Sequence, residues 1–326
     1  MIWLSWRQFR TQALVAAAGL VAIATYLVIL GLRIRHSYDA DLALCFRRGG
    51  GCGTSMAEFT DEYSGRLYWL DGLLYLLPGL LGTFWGAPLV ARELEAGTHR
   101  LVWNQSVTRR RWLAVKLLFV GFASMVTAGL LSALLTWAAS PYDLVAADRF
   151  GGVIFGARNI VPIAYAAFAF VVGTILGLMI RRTVPAMALT LAVFAVVGIV
   201  MPTLGRQHLA TPVTGSHPMT AEAIKRLSFL GSDGNIAGLT IPNAWVVSTS
   251  KLLAPDGRPV DQRRYQACTS GPPEAAADCL GKLDLHVTVA YQPGDRYWRF
   301  QWLESALFGA VSVLLAGLGL RLVSRR

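Results

Sequence analysis

The sequence predicts an all-α polytopic membrane protein. It should have six transmembrane helices, an N-terminal interfacial helix, and a large extracytoplasmic loop, α+β or irregular, between helices 5 and 6. Three observations carry this reading. Of 326 residues, 54% are hydrophobic and 15% are charged, whereas a soluble chain carries about a quarter charged residues. The missing charge is absent from six blocks of about twenty residues, the length that crosses a bilayer core. The formal net charge of +11 falls on one side of the topology those blocks define.

The opening segment, residues 1–12, reads as an interfacial amphipathic helix. Trp3, Trp6 and Phe9 recur about every third residue, with Arg7 and Arg10 elsewhere on the turn, which gives one aromatic and one basic face. A plain aromatic anchor for the first span gives the same pattern. The apolar run Ala13–Leu32 is longer than a signal-peptide core and predicts a retained first span.

Residues 13–204 hold the first five spans: Ala13–Leu32, Leu70–Val90, Leu117–Ala139, Ile160–Ile180 and Val184–Leu204. Residues 303–326 hold the sixth, Leu303–Val323, with a basic tail. At about 1.5 Å per residue, each is long enough for a core roughly 30 Å thick. None carries Lys or Arg in its interior, where one costs about 2.5–3.5 kcal/mol. Asp71 and Glu304 stand at span edges and are expected to reach the headgroups. Pro78 and Pro88 interrupt the second span and predict a kink there. The three-residue link Arg181–Thr183 forces spans 4 and 5 into an antiparallel hairpin. Gly82 and Gly86, and Gly173 and Gly177, are four apart, a spacing that admits close helix contact.

Six spans put both termini on one side. The segments on that side hold thirteen basic residues against two acids, Glu93 and Glu95, and the rest of the chain holds seventeen of each sign. This is the positive-inside pattern, and it places both termini in the cytoplasm of a plasma-membrane protein. It also accounts for the basic charge without any nucleic acid. The segment 33–66, read as an outer loop, carries five basic residues, which reduces the contrast without reversing it. All four cysteines, Cys45, Cys52, Cys268 and Cys279, fall in segments assigned outside. They form two local pairs that suit disulfides in an oxidising compartment, or they are incidental loop thiols.

The segment 205–302 is the large outer loop. An amphipathic stretch AEAIKRLSFL follows Thr220 and ends at Gly231, and LDLHVTVAY (Leu283–Tyr291) is β-branched enough for a strand. PDGRPVDQRR and SGPPEAAAD read as turn or loop material. YWRFQW supplies an aromatic belt before the last span.

No nucleotide-binding or hydrolytic motif occurs: there is no G-x-x-x-x-G-K-[ST], H-E-x-x-H, C-x-x-C or G-x-S-x-G. His208, His217 and His286 are scattered through the outer loop and read as exposed or structural rather than as a metal site. No cofactor is expected in this chain, and any energy for driven work comes from elsewhere. A membrane-embedded enzyme would need a polar constellation that the sequence does not offer.

The inner segment after span 2, ARELEAGTHRLVWNQSVTRRRWLAVK (residues 91–116), is too long for a turn and too short for a catalytic domain. Gly97 is placed to cap the helix that continues from span 2. Acids first and a basic cluster last suit docking onto a soluble partner. Anchoring of Arg109–Arg111 at the headgroups is the simpler alternative. Extended to APLVARELEAGTHRLVWNQSVTRRRWLAVKLL, this segment resembles the membrane subunit of the ABC-2 class of ATP-binding-cassette transporters. The matching residues are Ala91, Arg92, Glu93, Glu95, Gly97 and Thr98, then Arg109, Arg110, Arg111 and Lys116. The opening WLSWRQFRTQ is similar to the interfacial helix of actinobacterial members.

The resemblance implies that residues 91–116 form a coupling loop seated on a separate ABC ATPase subunit, with ATP and Mg in that partner. Two permease subunits, as a homodimer or heterodimer, would work with two ATPase subunits in efflux. The 98-residue segment between spans 5 and 6 departs from the short outer hairpin of many members. A different class of function, a non-transporting membrane sensor or immunity protein, would use that segment to bind a ligand. Apolar spans favour lipidic or amphipathic cargo.

Overall fold

The computed structural model describes residues 2–48, 51–97 and 108–325, with side chains described over 17–47, 51–97 and 108–324. The side chains of Trp3, Trp6, Arg7, Phe9 and Arg10, and the whole of Thr98, lie outside the described residues. The chain divides into two compact units. One comprises residues 1–146, 152–206 and 299–326, and the other residues 147–151 and 207–298.

The first unit is helical, and among the described residues six helices are long and apolar enough to cross a membrane. The first helix, α1 (Ile2–Ser37), runs without a break from the N-terminal segment through the first span. A π-helical turn, Tyr38–Leu42, leads into α2 (Ala43–Arg48), and α3 (Gly53–Leu81) begins five residues later. The segment 33–66, expected as a loop, is therefore almost entirely helical. The Cys45–Cys52 disulfide closes the reversal between α2 and α3, so the bend needs few residues.

The second span is α3, a π-helical turn at Gly82–Gly86, and α4 (Ala87–Glu95). Pro78 lies inside α3 and Pro88 in the first turn of α4. Proline lacks the amide that would bond the carbonyl one turn back, so the two prolines bracket a stretch where the regular ladder is released. A π turn is the local solution.

Next come α5 (Arg109–Ala146), the short α6 (Gly152–Ala157), α7 (Val161–Ile180) and α8 (Thr183–Val200). Helix α7 ends in a left-handed Arg181, which reverses the chain into α8 within two residues. The sixth span is α12 (Tyr297–Arg325).

Helix α7 is the axis of the bundle: 67% of its most apolar window is buried, against 22% in the first, fifth and sixth spans. Its glycines explain the central packing. A Cβ at Gly173 would collide with the carbonyl of Gly82, and one at Gly177 with the carbonyl of Ala87. A Cβ at Gly82 would meet the backbone of Ala169, and one at Gly86 that of Phe170. The two four-residue glycine spacings thus face one another, and backbone meets backbone where any side chain would hold the helices apart.

The second unit is mixed α and β. A three-stranded antiparallel sheet, in the order β1–β5–β4, is built from β1 (Val213–Pro218), β4 (Trp245–Thr249) and β5 (His286–Gln292). β1 pairs with β5 from Val213↔Tyr291 to Pro218↔His286, and β4 carries a bulge between Val246 and Ser248. A two-stranded ribbon pairs β2 (Phe229–Leu230) with β3 (Ile236–Ala237).

Helix α9 (Ala221–Lys225) is short; Thr220 caps it by accepting from the Ala223 amide. The expected amphipathic stretch breaks there and turns into β2. Two further helices, α10 (Gln262–Thr269) and α11 (Pro273–Gly281), overlap the segments 255–264 and 270–278 expected as turn or loop. Asp261 caps α10 through the amides of Arg263 and Arg264, and Pro273 occupies the first turn of α11, where proline is favoured. The Cys268–Cys279 disulfide joins the two helices. The core beneath them holds Leu252, Tyr265, Leu280, Val287 and Val289, all fully buried.

Candidate functional site

The six spans alternate in direction, so the bundle has one end that carries both termini and one that does not. Polar chemistry concentrates at the two ends in different forms.

At the end with the termini, helix α4 closes on Ala96 and Gly97, and Gly97 takes the left-handed conformation (φ 70°), as expected of a helix-stopping glycine. Glu93, one turn before that stop, sits 2.6 Å from Lys116 Nζ on α5. Lys116 also donates to the Leu89 carbonyl at 3.2 Å and lies 4.5 Å from the centre of the Trp112 ring. Glu95 faces the other way. Its Oε2 accepts from the Thr183 amide at 3.0 Å and from the Thr183 hydroxyl at 2.7 Å. Those are donors at the first residue of α8, where a helix leaves amides without intrahelical partners. Glu95 is therefore a cap supplied in trans from the second span to the fifth.

The two acids of the segment thus make separate ties. Glu93 joins the second span to the third, and Glu95 joins the second to the fifth. Arg92 is exposed, as are Arg110 and Arg111, and Arg109 is half-buried. Thr108 accepts from the Arg111 amide at 3.3 Å and so caps α5, and Arg110 donates to Ser324 Oγ at 2.9 Å. The structure brings Glu93, Glu95 and Lys116 into contacts within the bundle and leaves Arg92, Arg110 and Arg111 towards the surface.

At the opposite end, the expectation that Asp71 and Glu304 reach the headgroups is overturned. Both are buried, and each is matched to an arginine. Arg158, in the turn between α6 and α7, donates from Nε and Nη2 to the two oxygens of Asp71 at 2.7 Å each. It donates from Nη1 to Asp143 at 2.6 Å. One guanidinium fork thereby joins α3, the end of α5 and the start of α7, with Arg158 only 2% exposed. Arg206, past the end of α8, donates to both oxygens of Glu304 on α12 at 2.8 and 3.3 Å and lies 4.0 Å from the centre of the Phe155 ring. Tyr165 of α7 donates to the same carboxylate. Gln301, one turn before Glu304, accepts from the Ile160 and Val161 amides and donates to the Phe155 carbonyl.

A charge in an apolar interior is retained only when paired and hydrogen-bonded. Both networks meet that condition with planar, two-pronged geometry. Sequence reasoning missed them because each partner lies far along the chain. The available signal was the pair of acids at span edges, with Arg158 and Arg206 flanking otherwise charge-free spans.

Among the described residues, no group of three or more His, Cys, Asp or Glu side chains is placed to hold a metal. His208, His217 and His286 do not form one. Residues 17–206, more than half of the chain, match a protein family described as ABC-2 membrane transporter related. No curated protein and no solved structure matches the chain.

Proposed function

The chain belongs to the ABC-2 membrane transporter related family, and on that premise we propose that it is the permease subunit of an ATP-binding-cassette exporter. In this reading the termini lie in the cytoplasm, and residues 91–116 seat on a separate ATPase subunit that supplies ATP and Mg chemistry. Two permease chains, identical or different, form the working unit with two ATPase subunits.

The observation that supports it best is the pair of ties at the base of the second span. A push on the 91–116 segment acts on α4, and α4 is connected to α5 through Glu93–Lys116 and to α8 through Glu95–Thr183. The π turn at Gly82–Gly86, bracketed by Pro78 and Pro88, gives the second span a compliant joint above those ties. Arg92, Gly97, Thr98 and Arg109–Arg111 form the docking face. Motion at the base of three spans then follows from one contact with the ATPase.

The test is purification from detergent-solubilised membranes, identification of the ATPase that accompanies the chain, and reconstitution of the pair. ATP-dependent export should disappear when the catalytic glutamate of that ATPase is replaced. Isolation without any ATPase, or flux indifferent to that replacement, overturns the reading. Labelling a cysteine placed at Thr98 from the outside of intact cells would overturn the orientation as well.

A further inference from the structure

The unit formed by residues 147–151 and 207–298 contains an open cleft of about 420 Å³ whose lining residues all belong to that unit. This lies within the range of about 300–1,000 Å³ typical of small-molecule sites. Three chain segments make its walls: 149–150, 241–244 and 291–297. Phe150 is the centre of an aromatic floor. Its ring stacks on Trp245 at 6.2 Å between centroids and meets the edge of Tyr297 at 5.4 Å. Phe150 and Tyr297 are buried, while Tyr291 and Ile241 are half-buried along the wall. Aromatic side chains held by such contacts have few rotamers to lose, so the buried rings form a rigid floor and Tyr291 and Ile241 supply the accessible apolar wall.

The backbone around this floor is held in an unusual arrangement. Ala147 and Asn243 both adopt the left-handed conformation, at φ 52° and 56°, and the Asn243 amide donates to the Ala147 carbonyl at 2.8 Å. Gly294 passes so close beneath the Asn243 carbonyl that a side chain there would collide with it. Left-handed alanine persists only where its surroundings over-determine it, and such strain concentrates at binding sites.

The rim carries one charge of each sign, Arg149 and Asp295, both exposed. The whole unit holds nine basic and nine acidic residues, so it projects no net field to gather polyanions or polycations. Recognition here must come from shape, flat apolar contact and local charge balance.

We propose that this cleft is a binding site for a small neutral or zwitterionic molecule carrying an aromatic or similarly flat apolar group. The flat group lies against Tyr291 and Ile241 over the floor that Phe150 and Tyr297 form, and the charged ends of a zwitterion meet Arg149 and Asp295. The site belongs to this unit alone, so occupancy does not require ATP-driven transport and stands or falls separately from the permease reading.

The experiment is isothermal titration of the full chain in lipid nanodiscs with the zwitterionic dipeptide tryptophylphenylalanine, using diglycine as the ringless control. Saturable binding of the aromatic dipeptide, with none for diglycine, is the expected result. Pro242→Trp, which places a large ring in the cleft from an exposed position, should weaken it by about tenfold or more. Arg149→Ala, at another exposed position, should weaken it about threefold. Absence of saturable binding to the unmodified chain overturns the site, as does unchanged affinity in Pro242→Trp. If Pro242→Trp proves unstable, Arg149→Ala decides the matter, and unchanged affinity there overturns the site equally.

Discussion

At one end of the membrane bundle, Arg158 and Arg206 are buried, Arg158 with all three guanidinium nitrogens and Arg206 with Nε and Nη2 directed at carboxylates from other helices. At the end that carries the termini, the polar contacts are pairwise: Glu93 with Lys116, Glu95 with Thr183, Arg110 with Ser324. Glu95, Arg110 and Ser324 are exposed, whereas Lys116 is buried and Glu93 half-buried, so the Glu93–Lys116 pair is the firmest of the three. Helix α7 runs between the two ends and is clamped to the second span by facing glycines along the way. The contrast separates a part that holds its shape from a part that is able to yield. Buried, fully matched guanidinium–carboxylate forks resist partial movement, because displacing one partner strands the others in an apolar medium. Exposed ties are exchanged for water at little cost. If the permease is driven from one end, as proposed above, it needs that gradient, since force is transmitted only where the far end does not give way.

The contrast is broken most directly at Arg158. Arg158→Ala leaves Asp71 and Asp143 facing each other in the interior without their counter-charge. Breaking a buried pair by removing one partner costs about 3–5 kcal/mol, so thermal unfolding in detergent should show a large loss of stability. Arg158→Lys should recover only part of it, because a single ammonium cannot reproduce the two-pronged contact with Asp71 and reach Asp143 as well. An unfolding temperature unchanged by Arg158→Ala would remove the claim that this end is locked.

Next in size is the bridge at the same end. Reducing Cys45–Cys52, which closes a sequence separation of 7, releases a loop whose closure is worth about 2–3 kcal/mol in the chain-entropy account. Because α2 and α3 meet at that reversal, protease cleavage there should increase before global unfolding is affected. Cleavage at residues 38–56 that is insensitive to reductant would show that helix packing alone holds the reversal.

The ties at the opposite end carry smaller effects on stability and larger ones on coupling. Glu95→Ala removes the trans cap of α8, an exposed contact whose loss should lower stability less than either change above. The protein should still insert and unfold near its normal temperature, while ATP-dependent export by the reconstituted pair falls. Glu95→Gln keeps an acceptor for the Thr183 amide and should recover most of the function. Stability and export falling in equal proportion would mean that the tie merely holds the fold together.

What was legible in the sequence follows the range of the interactions. The six spans are local runs of apolar residues, and the Arg181–Thr183 hairpin is a local constraint, so both appear in the chain without any knowledge of packing. The glycine spacings in spans 2 and 4 were legible because a helix face is written at intervals of three and four residues. The disulfides agreed with two cysteine pairs at separations of 7 and 11. The buried arginine networks were not legible. Arg158 and Asp71 are 87 residues apart, and Arg206 and Glu304 are 98 apart. An acid at the edge of a span has the same local signature whether it reaches water or meets an arginine. Helices α10 and α11 were hidden for another reason: their flanks are rich in Pro, Gly and Asp, and the residues that suggest a loop are the caps that start these helices.

The smallest expected change in stability is also the most informative about docking. Arg109, Arg110 and Arg111 occupy the first turn of α5, where the helix presents the positive end of its dipole. Cations there are unfavourable, by about 0.3–1 kcal/mol each at an exposed site. Arg110 gains a bond to Ser324, but an exposed contact of this type contributes about 1 kcal/mol or less. Helix electrostatics and this one exposed bond therefore give little reason for arginines at 110 and 111. Replacing Arg110 and Arg111 together with glutamine should leave the unfolding temperature unchanged or slightly higher. The same change should weaken retention of the ATPase during purification, an effect that is largest at low salt and shrinks as salt is raised if the contact is electrostatic. If the double variant instead retains its partner and loses affinity only for anionic-lipid vesicles, the cluster is a headgroup anchor. The docking surface must then lie elsewhere in the 91–116 segment.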